Sequence, residues 1–246
     1  MRPKSGKIIT ASIYGGFSLV ELLVVIGIIT VLIAILLPTL AAARVSGMQT
    51  QSASNLRQIG IALRMYADEN RGRFPETTHG GPPDRSWVFT LAPYFGNVDR
   101  VRVCPADPRS GVLLLNNGTS YILNEYIAVP RMDAFGNVLE DFTRLDKLRR
   151  PSDIFTVFVA SDRLAPGVFA DHTHSRNWVR NPMAQSWTRV LSDIQPDRFT
   201  TRVNSPLRDR GSSVYLFADT HVENRRAADM RKLILDGINF AKPSAP

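Results

Sequence analysis

The chain has 246 residues, 44% of them hydrophobic and 21% charged, with a formal net charge of +8. That length holds one membrane helix and one globular domain of ordinary size, and the composition argues against a multi-span transporter. Cys104 is the only cysteine, which excludes a disulfide within the chain. Residues 1–16 form a basic leader carrying Arg2, Lys4 and Lys7 and ending at Gly16; without it the charge falls to about +5, spread rather than clustered. Residues 17–37 are then almost wholly apolar, broken by one carboxylate, Glu21. At about 1.5 Å per residue, this run makes roughly 31 Å of helix, enough to cross a bilayer core. A charge there costs at least about 2.5 kcal/mol, which marks Glu21 as functional. The leader positives orient the span with its N-terminus in the cytoplasm.

Gly16, Phe17, Ser18, Leu19 and Glu21 closely resemble the N-terminus of the type IV pilin and type II secretion pseudopilin superfamily, and Pro38 stands where such helices often carry a proline. The resemblance implies that a prepilin peptidase recognises Glu21, cuts between Gly16 and Phe17 and methylates the new amine of Phe17. It implies that Glu21 of one subunit then pairs with the Phe17 amine of a neighbour, while residues 22–37 pack helix on helix in a filament core. Three plainer readings compete. A secretory signal cut after Ala41-Ala42-Ala43 would need an apolar core about twice the usual 7–15 residues, with a glutamate in it. A plain signal anchor gives no reason for Glu21. A buried core helix fits poorly with so long and uniform an apolar run.

The helix continues through 38–71 as an amphipathic half. Leu56, Ile59, Leu63 and Tyr66 recur at helical spacing, with Arg57, Arg64, Asp68 and Glu69 on other faces. Pro38 and Gly47 are places for a kink, and Asn70-Arg71-Gly72-Arg73-Phe74-Pro75 supplies the stop. Residues 72–246 form the head. After a loop-rich stretch with a short helix over Trp87–Phe95 come strand candidates at Val112–Leu115, Ser120–Val129 and Ile154–Ala160. Cys104 reads as a small buried side chain. Residues 161–210 lack periodicity and read as a long excursion from the sheet. Ser212–Ala218 alternates and pairs with Thr220–Glu223; Ala227–Asp236 is a short helix, and Phe240–Pro246 a loose tail. The fold class expected is α+β: a long N-terminal helix, membrane-spanning in its first half, packed on an antiparallel sheet in a pilin-like head.

Segments 55–60, 66–75, 104–108, 120–126 and 214–219 also resemble a narrower pilin-like group with a C-terminal H-x9-DG motif. Here Asp219 matches the motif's Asp, but Thr220 replaces its Gly and Asp209 its His. A tight turn needing positive φ is therefore not expected at Asp219-Thr220.

The function implied is a structural subunit, not an enzyme, assembling into a pilus or pseudopilus. The partners implied are the prepilin peptidase, copies of itself or sister pilins and pseudopilins, an assembly platform with its ATPase, and inner-membrane lipid. The head would lie outside the cytoplasm. The rivals are a membrane-anchored binding module or metal-dependent enzyme, and a DNA-uptake minor pilin. Asp171-His172-Thr173-His174 puts two imidazoles on one face if extended, and Asp219 and His221 repeat the spacing, but neither pair forms a zinc-hydrolase motif. They read as surface or turn histidines. No cofactor is implied; calcium has candidate oxygen ligands in Asp162, Asp171 and Asp219, without EF-hand spacing. Trp178 and Trp187 among the arginines of 176–210 could stack bases, but interleaved aspartates favour a solvated mixed-charge surface over nucleic-acid binding.

Overall fold

A computed structural model describes residues 18–79, 82–201 and 205–244. Gly16 and Phe17, the expected cleavage pair, lie outside the described residues. The chain divides into two compact units, Met1–Ala42 and Ala43–Pro246, with the boundary inside one helix, α1 (Leu19–Glu69).

In the first unit the described part of α1 is bare. Every large apolar side chain from Leu19 to Leu37 is exposed, and the helix is long and apolar enough to cross a membrane. Its polar groups are satisfied locally. The hydroxyls of Thr30 and Thr39 donate to the carbonyls of Ile26 and Leu36, at 2.7 and 2.8 Å.

In the second unit α1 buries one stripe, Ser52, Asn55, Leu56, Ile59, Ala62, Leu63 and Ala67, at the spacing expected of an amphipathic helix. The helix ends where Arg71 and Gly72 turn to φ 57° and 79°. A side chain at Gly72 would also collide with Asp146, 2.6 Å from the position a Cβ would take. The positive φ is what favours glycine there, since the Asp146 carboxylate end can swing away.

The remaining helices are α2 (Trp87–Thr90), α3 (Ser110–Leu115), α4 (Glu125–Ala128), α5 (Ser186–Asp193) and α6 (Ala227–Leu235). The strands β1 (Tyr121–Leu123), β4 (Phe155–Val159), β5 (Ser212–Phe217) and β6 (Val222–Arg226) form one antiparallel sheet in the order β1-β4-β5-β6. A separate hairpin joins β2 (Arg131–Met132) to β3 (Val138–Glu140). The class is therefore α+β. Strand β4 is buried along its whole length at the centre of the sheet, and Phe155, Phe158, Trp178, Phe217 and Phe240 cluster around it. Helix α1 joins this core closely, since a Cβ at Gly60 would meet Leu216 at 2.8 Å and Thr220 at 3.3 Å.

Five expectations need correction. Val112–Leu115 is helical, lying within α3; only Leu113 of its apolar run is buried, Leu114 is half-buried, and Val112 and Leu115 are exposed. The candidate strand at Ser120–Val129 stops after three residues. There Asn124 caps α4 by accepting from the Tyr126 N–H, and its amide donates to the carbonyls of Phe155 and Ala241. The tail is tied down by that last bond, and Phe240 and Ala241 are buried. The 161–210 excursion carries α5 and contributes Trp178, Trp187, Val190, Leu191 and Ile194 to the core.

The β5–β6 turn is the fifth. Phe217 and Thr220 close a β-turn (Thr220 N–H to the Phe217 carbonyl, 3.0 Å), and Thr220 takes φ 76° before the Phe217 N–H donates to the His221 carbonyl. This is the three-residue hairpin loop whose last position favours glycine, here filled by threonine. An L-residue in that region costs about 1–2 kcal/mol, partly offset by the greater freedom glycine has when unfolded. Thr220→Gly is therefore expected to raise the stability of the full chain in detergent by roughly 0.5–1 kcal/mol, read by urea unfolding. A loss instead would mean that the Thr220 contact with α1 outweighs the strain.

Candidate functional site

Glu21 sits in the first turn of α1, where the chain forms a capping box. The Ser18 N–H donates to Glu21 Oε2 at 2.9 Å, and the Glu21 N–H donates to Ser18 Oγ at 3.1 Å. Glu21 thus has a local role within the single chain, satisfying a helix-end donor among exposed apolar side chains.

A second constellation lies in the head. Segment 171–173 docks beside the end of β1, with the Leu123 N–H donating to the Asp171 carbonyl and the Thr173 N–H to the Leu123 carbonyl, both at 2.9 Å. This extended stretch places His172 and His174 on one side, as their spacing requires. The His172 and His174 rings lie 5.1 Å apart between centroids. The loop after α1 brings His79 to meet them, its Nδ1 3.1 Å from His172 Nε2. Among the described residues, His79, His172 and His174 are the ligand-type side chains close enough to share an ion, with their ligand atoms within 4.8 Å of one another.

Two buried carboxylates hold this cluster. Asp171 is fully buried and accepts from the Thr78 N–H and Oγ1, from Ser86 Oγ at 2.5 Å and from His172 Nδ1 at 2.7 Å. Ser86 in turn caps α2 by accepting from the Val88 N–H. Asp193, at the end of α5, accepts from Trp178 Nε1 at 2.7 Å and from the His174 N–H at 2.8 Å, with His174 Nδ1 3.5 Å from its other oxygen. His172 is buried, while His79 and His174 are exposed. Burial, then the facing charge of His172, pushes His79 below the ordinary histidine value; His174 and Arg176 act the same way and Glu125 against it. His174 is raised, first by its hydrogen bond to Asp193 and further by the charges of Asp193 and Glu125, with burial opposing.

The other sequence candidates are elsewhere engaged. Asp162 faces Arg208, and Asp219 accepts from His221 Nδ1 at 2.5 Å. Among the described residues, Asp162, Asp171 and Asp219 do not converge on one another. His221 does not join His172 and His174; its ring stacks on Phe217, 4.2 Å between centroids. Asp209 lies 3.9 Å from Arg231. Trp178 and Trp187 are buried and cannot serve as base-stacking platforms. Cys104 is buried and its thiol is pushed up by that burial, which makes it inert as a nucleophile. A cleft of about 640 Å³ lined by Gln51, Asn55, Arg100, Cys104 and Leu114 contains none of the histidines. The expectation of turn histidines fails for His172, and the sequence reading missed His79 altogether.

Comparison with protein-family models, curated proteins and solved structures finds no match for this chain.

Two outcomes test this geometry. Asp171→Ala strands buried donors at Thr78 and Ser86 and is expected to cost about 2–4 kcal/mol in urea unfolding, against under about 1 kcal/mol for exposed Asp219→Ala. In metal-free protein, ring-proton NMR is expected to show His174 titrating above the ordinary histidine value and His79 below it. By linkage, the His174 contribution to stability is present in acid and is lost as pH rises through its folded pKa. His79 withdraws stability in a separate window, as pH falls from the ordinary histidine value toward its lowered folded pKa. A reversed order would contradict the Asp193 contact.

Proposed function

We propose that this chain is a pilin-like structural subunit that assembles through α1 into a type IV pilus or a type II secretion pseudopilus. The observation that carries the reading is the bare apolar surface of α1 from Leu19 to Leu37, with Glu21 its one ionisable group. Such a surface needs lipid before assembly and other helices after it. On this reading a prepilin peptidase cuts between Gly16 and Phe17 and methylates Phe17. The subunit waits in the inner membrane with its N-terminus cytoplasmic and its head outside, until the platform and its ATPase draw it into a filament of like or sister subunits.

Glu21 is then the switch between two partners. In the single chain its carboxylate accepts from the Ser18 N–H. In a filament it would take the Phe17 amine of a neighbour, removing an otherwise unpaired charge from an apolar setting and fixing the axial register. The role is structural rather than catalytic. Asp171, Asp193 and Glu125, the carboxylates associated with the histidine cluster, are each held by several donors within the fold.

The test is the intact mass and N-terminal residue of protein from native membranes, beside Glu21→Ala. The wild type is expected to begin at N-methyl-Phe17. The variant is expected to be cut but to enter filaments roughly 70-fold less well, the factor equivalent to about 2.5 kcal/mol for an unpaired charge. A chain beginning after Ala43, or left whole by an active peptidase, would refute the reading.

A further inference from the structure

We propose that His79, His172 and His174 form a mononuclear site for a divalent ion of the zinc class, with at least one coordination position open to solvent. This inference does not rest on the assembly reading, because its residues all lie in the unit Ala43–Pro246.

The first argument is convergence. His79 and His172 are separated by 93 residues in sequence, yet their facing nitrogens are 3.1 Å apart, and His174 completes a group within 4.8 Å. A hydrogen bond between two imidazoles would explain one pair; it gives no reason for a third. Two nitrogens bound at about 2.0–2.1 Å to a tetrahedral ion sit roughly 3.3 Å apart, so the closest pair is already near ligand spacing. The third ligand, His174, has 57% of its side chain exposed, so no packed neighbour fixes its ring.

Orientation is the second argument. Metal-bound histidines usually give their second ring nitrogen to a carboxylate or carbonyl, which fixes tautomer and direction. Asp171 takes Nδ1 of His172, and Asp193 faces Nδ1 of His174. In both rings Nε2 is left for an ion. The Asp171 carboxylate also binds Thr78, the neighbour of His79, so one buried group aligns the two segments that supply the ligands.

Chemistry selects the ion. An all-imidazole set suits zinc and its neighbours in the first transition row, whereas calcium and magnesium need oxygen. Three protein ligands leave a tetrahedral ion one position short, and the two exposed histidines put that position at the surface. The ion would staple the loop after α1 to the 171–174 segment.

The experiment uses the full chain in detergent, purified without a histidine tag and stripped with a chelator, then titrated with Zn²⁺ alone by calorimetry and with Co²⁺ by visible absorption. One equivalent per chain is expected, with the intense cobalt bands of a four- or five-coordinate site. His174→Ala removes an exposed ring, leaves the apo fold intact by circular dichroism, and is expected to weaken binding beyond the 10–100-fold typical of losing an outer partner. His221→Asn is expected to bind as the wild type does. Binding that is absent, that survives His174→Ala unchanged, or that is lost in His221→Asn instead would overturn the proposal.

Discussion

The buried carboxylate of Asp171 is the interaction on which the head's arrangement most depends. A carboxylate out of water must be met by donors or it destabilises the fold, and here they come from separate stretches of chain. Thr78 donates from the loop after α1, Ser86 from the cap of α2, and His172 from the adjacent position. The backbone of the same residue accepts from Trp87 Nε1 and from the Leu123 N–H. One residue therefore joins the helix exit, α2, the edge of the sheet and the 171–174 segment. The histidine cluster is a consequence, since His79 follows Thr78 and His172 follows Asp171.

Helix α1 answers to two environments under one hydrogen-bonded backbone. In the unit Met1–Ala42 its described side chains contact little protein, and polarity is handled inside the helix by threonines bonding back to the preceding turn. In the unit Ala43–Pro246 the same helix buries a stripe and, at Gly60, gives up its Cβ so that β5 can approach. Glycine in a helix interior costs about 1 kcal/mol relative to alanine. Its place opposite Leu216 is explained by the contact it permits.

Legibility in the sequence followed periodicity. The long helix, its buried stripe at Leu56, Ile59 and Leu63, the central strand β4 and the β5–β6 hairpin all carry a pattern of period 3.6 or 2, and each is present within a few residues of its expected bounds. The capping box of Ser18 and Glu21 emerges only from the structure; in the sequence Glu21 stands out because it interrupts an apolar run. The 161–210 segment carries no such pattern because it enters the core through single anchors. Trp178 is held by Asp193, Trp187 by the Leu207 carbonyl, and such contacts have no period. His79 was hidden for a related reason. It stands beside Gly80-Gly81-Pro82-Pro83, a plain loop signal, and the buried carboxylate that ties it to His172 lies more than ninety residues away.

The turn at Asp219-Thr220 shows how a motif's geometry can outlast its residues. Sequence alone argued against a positive-φ turn once glycine was gone, yet Thr220 adopts φ 76°. The register of β5 against β6 runs from Ser212 opposite Arg226 to Leu216 opposite Val222, and the bond from the Phe217 N–H to the His221 carbonyl then leaves three residues to close the hairpin. A three-residue loop must put its last member in the left-handed region to keep the strand twist. The sheet sets that requirement, and Asp219 supports it by accepting from both the backbone and the ring of His221. Strain of one or two kcal/mol at a single residue is small beside the burial of β5. Tertiary pairing therefore decides the conformation, and glycine serves to lower its cost.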